Sequence, residues 1–260
     1  MKNLLNLQQW AFVLTLVSLT AFAQAQTFKI PVKSGTLQIG EMTGKLVLEA
    51  YKGSEVLIEG GHKHRRSDNE RAKGLKPITG GDDNTQIGLN YKTEGGVTTI
   101  KAVRKVSSRQ YTIKVPQAMK LRVDISNNWF NKLIVKGFGT DVNIDIRYGK
   151  VWVEQLSGSV QIEARYGLVT ADFASMSNNV SIDARYGGMD ISLPAQTKAD
   201  LRASSRYGEI FTNMDIQTDK AQESSLKNLT AATEVTAKLN GGGKALVLEA
   251  RHANIYLRKK

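Results

Sequence analysis

The residues best suited to chemistry in this chain come as a triplet. Arg-Tyr-Gly occurs four times, starting at Arg147, Arg165, Arg185 and Arg206. Asp145, Glu163 and Asp183 stand two positions before the first three arginines, and Ser204 takes that place in the fourth copy. A guanidinium can fork onto a carboxylate of its own copy or the next. Two readings follow. The acid and arginine rows can hold successive units in register, or the arginines can form a strip that binds an anionic polymer. Tyr148, Tyr166, Tyr186 and Tyr207 make a neighbouring row, which a degenerate last copy, Arg251-His252-Ala253, extends. A third row falls three residues after each triplet glycine: Trp152, Thr170, Asp190 and Phe211, with Tyr256 in the last copy. Trp152, Phe211 and Tyr256 are candidate contact residues, because aromatics on an exposed sheet face mark interaction surfaces.

Other chemistries find few residues. "HKHRR" sets His62 and His64 on one side of an extended segment, but His252 is the only other histidine. Two histidines with Asp68, Asp82 and Asp83 nearby do not make a persuasive metal site. No cysteine occurs, which excludes thiol nucleophiles, redox dithiols and zinc fingers. The nucleophile elbow, the H-E-x-x-H helix, the P-loop and the dinucleotide fingerprint are all missing from the sequence. The acids recur as a row with arginine partners, whereas an active site needs a unique cluster. The sequence therefore predicts no enzyme, no cofactor and no metal.

The elements that position these rows follow from period-two alternation. Val142, Ile144 and Ile146 precede the first triplet; Val160, Ile162, Ala164 and Val180, Ile182, Ala184 precede the next two. After the glycines come Val151, Val153; Val169, Ala171, Phe173; and Met189, Ile191, Leu193. Such alternation means strands with one buried face. Each copy is thus strand, turn, strand. Gly149, Gly167, Gly187 and Gly208 are expected at the turns with positive φ. The triplet starts lie 18, 20 and 21 residues apart. That period belongs to solenoids, whose stacked coils place equivalent side chains over one another. Consecutive hairpins in a sandwich have no such need to repeat Arg and Tyr at one offset. The leucine-rich-repeat pattern is missing.

The expected fold is all-β: a parallel, right-handed β-solenoid with two strands per ~20-residue coil and less regular strands at its N-terminal end. Residues 1–25 read as a secretory signal peptide, with a basic start, an apolar run over 10–23 and small residues at Ala21, Ala23 and Ala25. The mature chain, 26–260, is expected as one domain. Within it, 26–120 is an irregular β region with a basic loop at 60–83, and 121–216 holds the regular coils. Residues 217–233 are an insert, and 234–260 form the terminal coil, entered through "NGGG". No transmembrane segment is expected in the mature chain.

The net charge is +12, or +11 without the leader's Lys2. This excess favours anionic partners: an anionic glycan, lipopolysaccharide or an envelope protein, with no nucleic acid expected.

"YTIKVPQAMKLRVDIS", "GKVWVEQLSGSVQIEARYGLVTADF" and "LNGGGKALVLEARHANIYLRK" together resemble the bacterial "putative adhesin" domain family, best over residues 111–260. The resemblance implies an exported β-solenoid without known catalytic residues, located in the periplasm, at the outer cell surface or outside the cell. Regular Arg-Tyr-Gly triplets and the insert before Glu234 depart from that family's pattern. The expected function is a non-catalytic, adhesin-like module that binds a glycan, an envelope component or a protein through a solenoid face. A carbohydrate-active enzyme on the same scaffold and a purely structural envelope scaffold are the alternatives.

Overall fold

The computed structural model describes residues 27–60, 82–216 and 233–260. The expected leader, the His62 and His64 pair and the insert up to residue 232 lie outside the described residues. Every regular element described is a strand. In chain order they begin with β1 (Phe28–Ile30), β2 (Gly35–Ile39), β3 (Gly44–Tyr51), β4 (Val56–Gly60), β5 (Leu89–Glu94), β6 (Val97–Ala102) and β7 (Gln110–Pro116). The regular stretch follows with β8 (Met119–Ile125), β9 (Phe130–Lys136), β10 (Val142–Tyr148), β11 (Lys150–Glu154), β12 (Val160–Tyr166), β13 (Val169–Asp172), β14 (Val180–Ala184) and β15 (Met189–Leu193). The chain closes with β16 (Ala199–Ser205), β17 (Ile210–Thr212), β18 (Thr233–Leu239), β19 (Lys244–Ala250) and β20 (Ile255–Lys259). No helix among the described residues is long and apolar enough to cross a membrane.

Two ten-stranded sheets form. One runs β1-β4-β7-β3-β9-β11-β13-β15-β20-β17, the other β18-β16-β19-β14-β12-β10-β8-β2-β6-β5. From β8 to β15 the chain alternates between the sheets, so each strand lies parallel and in register with its counterpart one copy away. Val142 pairs with Val160 and Tyr148 with Tyr166; Val160 pairs with Val180; Val151 pairs with Val169. The inward rows predicted from alternation are buried on both sheets and join one apolar cluster. Each fully buried Val, Ile or Leu there contributes ~1.5–3 kcal/mol against exposure.

At both ends of the stack, order in space departs from order in sequence. β19 lies between β14 and β16, pairing with both in parallel. β20 likewise lies between β15 and β17. The last coil of the chain is therefore tucked one place in from the end. At the other end β2 sits between β8 and β6, and β3 between β9 and β7. The N-terminal strands thus join the same two sheets, largely in parallel.

The route into the last coil explains "NGGG". β18 runs antiparallel along one side of β16, and β19 runs parallel along the other. Leu239 and Lys244 are both register partners of Ala199, so residues 240–243 must arch over the start of β16. Asn240, Gly241 and Gly242 take φ of 46°, 88° and 86° to make the arch. The Asn240 amide donates to the carbonyls of Ala195 and Thr197 beneath it, at 2.9 and 2.8 Å. A Cβ at Gly243 would lie 2.7 Å from the Lys198 carbonyl oxygen.

The antiparallel strands sit at sheet ends. β18 flanks β16 and β5 flanks β6, while β4 and β1 close the other sheet beyond β7. The outermost strands of the first sheet, β1 and β17, are only three residues long, and very short edge strands limit pairing with other chains.

Near β5 and β7 the fold is pinned by Tyr111, which is wholly buried. Its hydroxyl donates to the Ile87 carbonyl at 2.8 Å and accepts from Arg109 at 3.0 Å. Burial pushes this phenol up, with Arg109 acting in the opposite sense. The net shift keeps it a neutral donor. Tyr111→Phe leaves the Ile87 carbonyl unpaired in the interior, so the expected loss is about 1–3 kcal/mol of unfolding free energy. Urea denaturation followed by tryptophan fluorescence measures it, and an unchanged midpoint would show that the hydroxyl is not an anchor.

Candidate functional site

The triplets occupy the corner where one sheet hands the chain to the other. Arg147-Tyr148 and Arg165-Tyr166 close β10 and β12 of the second sheet, Arg185-Tyr186 and Arg206-Tyr207 follow directly on β14 and β16, and the glycine begins the crossing to the first. Backbone hydrogen bonds link the corners in spatial order. Tyr186 N–H donates to the Arg165 carbonyl, His252 N–H to that of Arg185, and Tyr207 N–H to that of Arg251. The corner therefore reads 147, 165, 185, 251, 206.

That order decides the aromatic row. Tyr148 and Tyr166 stack at 5.3 Å between centroids, and Tyr166 and Tyr186 at 5.0 Å. His252 then stacks on Tyr186 at 4.9 Å and on Tyr207 at 4.6 Å. Five rings form one unbroken file. The imidazole fills its interior, because the last coil is inserted there, so it does not extend the row outward. Offset-stacked pairs of this kind contribute ~0.5–1.5 kcal/mol each.

The glycines need a correction. Gly149 has the expected positive φ of 99°, but Gly167, Gly187 and Gly208 do not. Close approach between coils keeps these three. A Cβ on Gly167 would collide with the Gly149 carbonyl oxygen, one on Gly187 with that of Gly167, and one on Gly208 with that of Ala253. All three contacts fall far inside the 3.0 Å that real Cβ atoms respect.

The expected pairing of the arginine row with the acid row is also mostly unmade. Arg185 meets Asp183 at 3.4 Å. Arg147 and Arg206 lie over the rings of their own tyrosines instead, at 5.5 and 5.4 Å. The physical reason is competition: at the end of the strand the neighbouring tyrosine ring offers the guanidinium a cation–π partner. Arg147, Arg165, Arg206 and Arg251 are exposed. The acid row itself is longer than four copies suggest. Asp124, Asp145, Glu163, Asp183 and Glu249 are successive register partners, with Ser204 next.

The third row lies on the outer face of the first sheet in the order Trp152, Thr170, Asp190, Tyr256, Phe211. Phe211 and Tyr256 stack at 5.3 Å, with the Arg258 guanidinium 5.7 Å from the Tyr256 ring and held by both oxygens of Asp190, at 2.7 and 3.0 Å. Trp152 is three strands away from Tyr256 and carries the Lys132 ammonium at 4.9 Å. All three aromatics are exposed, and no described strand covers them.

The sequence aligns Arg251-His252-Ala253 with the triplets, but the contact candidates read from it leave out Arg251, although its offset before Ala253 is the available signal. Exposed Trp129 and Leu168 are left out too; Leu168 follows its triplet glycine directly, where the other copies carry Lys150, Gly188 and Glu209. Where the first coil lacks a triplet, Ser126 and Asn127 bind the Glu41 carboxylate at 2.6 and 2.7 Å. Burial acts to raise that carboxyl, but those hydrogen bonds, with Lys105 nearby, outweigh it and hold it low. Asp83, a possible metal ligand by sequence, instead caps its own turn, accepting from Thr85 and from Gly88 N–H. Among the described residues no group of three metal-ligating side chains converges.

Residues 138–242 match the family model Toastrack DUF4097. The Toastrack match lies within the stretch on which the resemblance to the adhesin-type family rests, and that resemblance holds. It spans the first three triplet coils, β16–β18 and the arch, and stops before β19. Three solved structures cover 90% of this chain. One is a "putative cell adhesion protein" of Clostridium sporogenes, with TM-score 0.45, 13% identity and 99% of its own chain covered. A "putative adhesin" of Bacteroides fragilis follows, with TM-score 0.38, 11% identity and 96% coverage. Another, from Parabacteroides merdae, has TM-score 0.23, 10% identity and 95% coverage. No curated protein matches the chain.

Proposed function

We propose that this protein is an exported, non-catalytic, adhesin-like module that engages an anionic component of the cell envelope or surface through its Arg-Tyr corner. The finer architecture belongs to the same proposal: residues 26–260 as one domain, wound as a right-handed solenoid with two strands per ~20-residue coil, behind a leader at 1–25. One observation carries the reading. Arg147, Arg165, Arg185, Arg251 and Arg206 stand in file beside five stacked rings, and among the described residues a single ion pair to carboxylate engages them. The excess of positive charge, +12 over the full chain, acts in the same direction. The carboxylates of the acid row recur one per coil as register partners, whereas a catalytic site is a unique cluster.

Binding to purified envelope fractions tests the proposal. The mature protein is expected to be retained at low salt and released as ionic strength rises, since exposed charges are screened beyond ~10 Å at 0.1 M. Replacing Arg165, Arg206 and Arg251 together by glutamine should weaken retention about tenfold or more. The melting temperature should barely move, because exposed substitutions of this kind change stability by ~0.5 kcal/mol or less. Equal retention of the variant and the parent protein would overturn the assignment of the corner.

A further inference from the structure

We infer that the corner takes a linear polymer of acidic sugars, lying along the stack with one carboxylate per coil. This rests on the reading of the corner as the contact surface and adds the chemical class of its ligand. Two features of the ring file narrow the chemistry. Its rings lie nearly parallel, 5° to 17° between neighbours, so most ring faces are already occupied by other rings. Between its two ends the file offers mainly ring edges, and Arg147 and Arg206 lie over the end rings Tyr148 and Tyr207, which disfavours sugar-face stacking as the mode of binding. What remains is a file of hydrogen-bond donors: guanidinium groups beside phenols. Such donors suit carboxylates, which accept charge-assisted, forked hydrogen bonds.

Spacing and fencing narrow it further. The donors repeat once per coil, and the strand spacing of ~4.8 Å is close to the advance per ring of an extended polysaccharide. A chain with one acidic group per sugar would meet one arginine per ring without changing direction. On the strand side runs the acid row, Asp145, Glu163, Asp183 and Glu249. These carboxylates repel a polyanion from the flat sheet and confine it to the corner. Beyond the rings, Lys150 is exposed and Lys132 is its register partner, which adds positive charge at the Tyr148 end. Glu209 is the acid on that side, at the Tyr207 end.

Defined-length oligogalacturonates test this, with binding to the mature chain measured by calorimetry. Affinity is expected to climb at least tenfold from the disaccharide to about the pentamer, then to level off as the five arginines are used. Methyl-esterified oligomers should not bind. R165Q, in the interior of the file, should remove most of the gain with length. Equal affinity for dimer and octamer would overturn the inference. Polyphosphate binding as tightly as the octamer, with the same plateau, would overturn it too, since charge alone would then suffice. If oligogalacturonates fail to bind while the arginine substitutions still abolish envelope retention, the ligand class falls and the corner assignment survives. If the substitutions leave retention intact, both fall.

Discussion

Replacing Gly167 by alanine is expected to cost about 3–5 kcal/mol of unfolding free energy, the exceptional end of single-substitution effects. The argument is steric. Gly167 has no positive φ, so alanine meets no backbone strain of its own. Its methyl group would instead be driven into the Gly149 carbonyl oxygen of the coil before it. Backbone cannot swing aside as a lysine side chain can, so the two coils must part locally. Parting them lengthens the corner hydrogen bonds and separates Tyr148 from Tyr166. Gly95→Ala is the control. Gly95 sits in the β5–β6 hairpin at φ 56°, and an added methyl group there would find nothing within 4 Å. Only left-handed strain opposes that alanine, at ~1–2 kcal/mol. Chemical denaturation of both variants separates the two causes. Gly167→Ala costing no more than Gly95→Ala would mean that inter-coil contact is not what retains the glycine.

This contrast shows what was legible beforehand. Val160, Ile162 and Ala164 announce a strand and its buried face, because side chains alternate strictly along extended backbone. Recurrence of Arg and Tyr at one offset announces stacking, since only stacked coils bring like positions together. Neither signal names a neighbour. Nothing local in Leu246, Leu248 and Ala250 says that they pair with Val180, Ile182 and Ala184 on one side and with Leu201, Ala203 and Ser205 on the other. Strand pairing is a non-local choice, and both partners present the same apolar face. The N-terminal strands escaped for a related reason. β2 and β3 join the stack without a triplet, and the Glu41 latch onto Ser126 and Asn127 does part of the corner's work there. The candidate surface was legible in its residue types and not in its order. The place of His252 inside the ring file follows only from the inserted coil.

That insertion gives the second large effect. A chain ending at Leu239 is expected to lose the protection of β16, β17 and β18 as well as the coil removed. In a stack where each unit touches only its neighbours, stability is close to a sum of unit and interface terms. Deleting an outermost coil removes one interface. Deleting β19 and β20 removes two, because they stand between β14–β15 and β16–β17. Leu246, Leu248, Ile255 and Leu257, all buried, take with them roughly 6–12 kcal/mol of burial as an upper estimate, comparable to the whole stability of a typical domain. β16 and β18 would then keep only their own pairing, and an isolated two-stranded unit is marginal in water. Limited proteolysis with mass spectrometry should yield a resistant fragment ending near Leu193. If β16 and β18 stay protected in the truncated chain, β16 has docked directly on β14, and the inserted coil is a filler that the stack can close without.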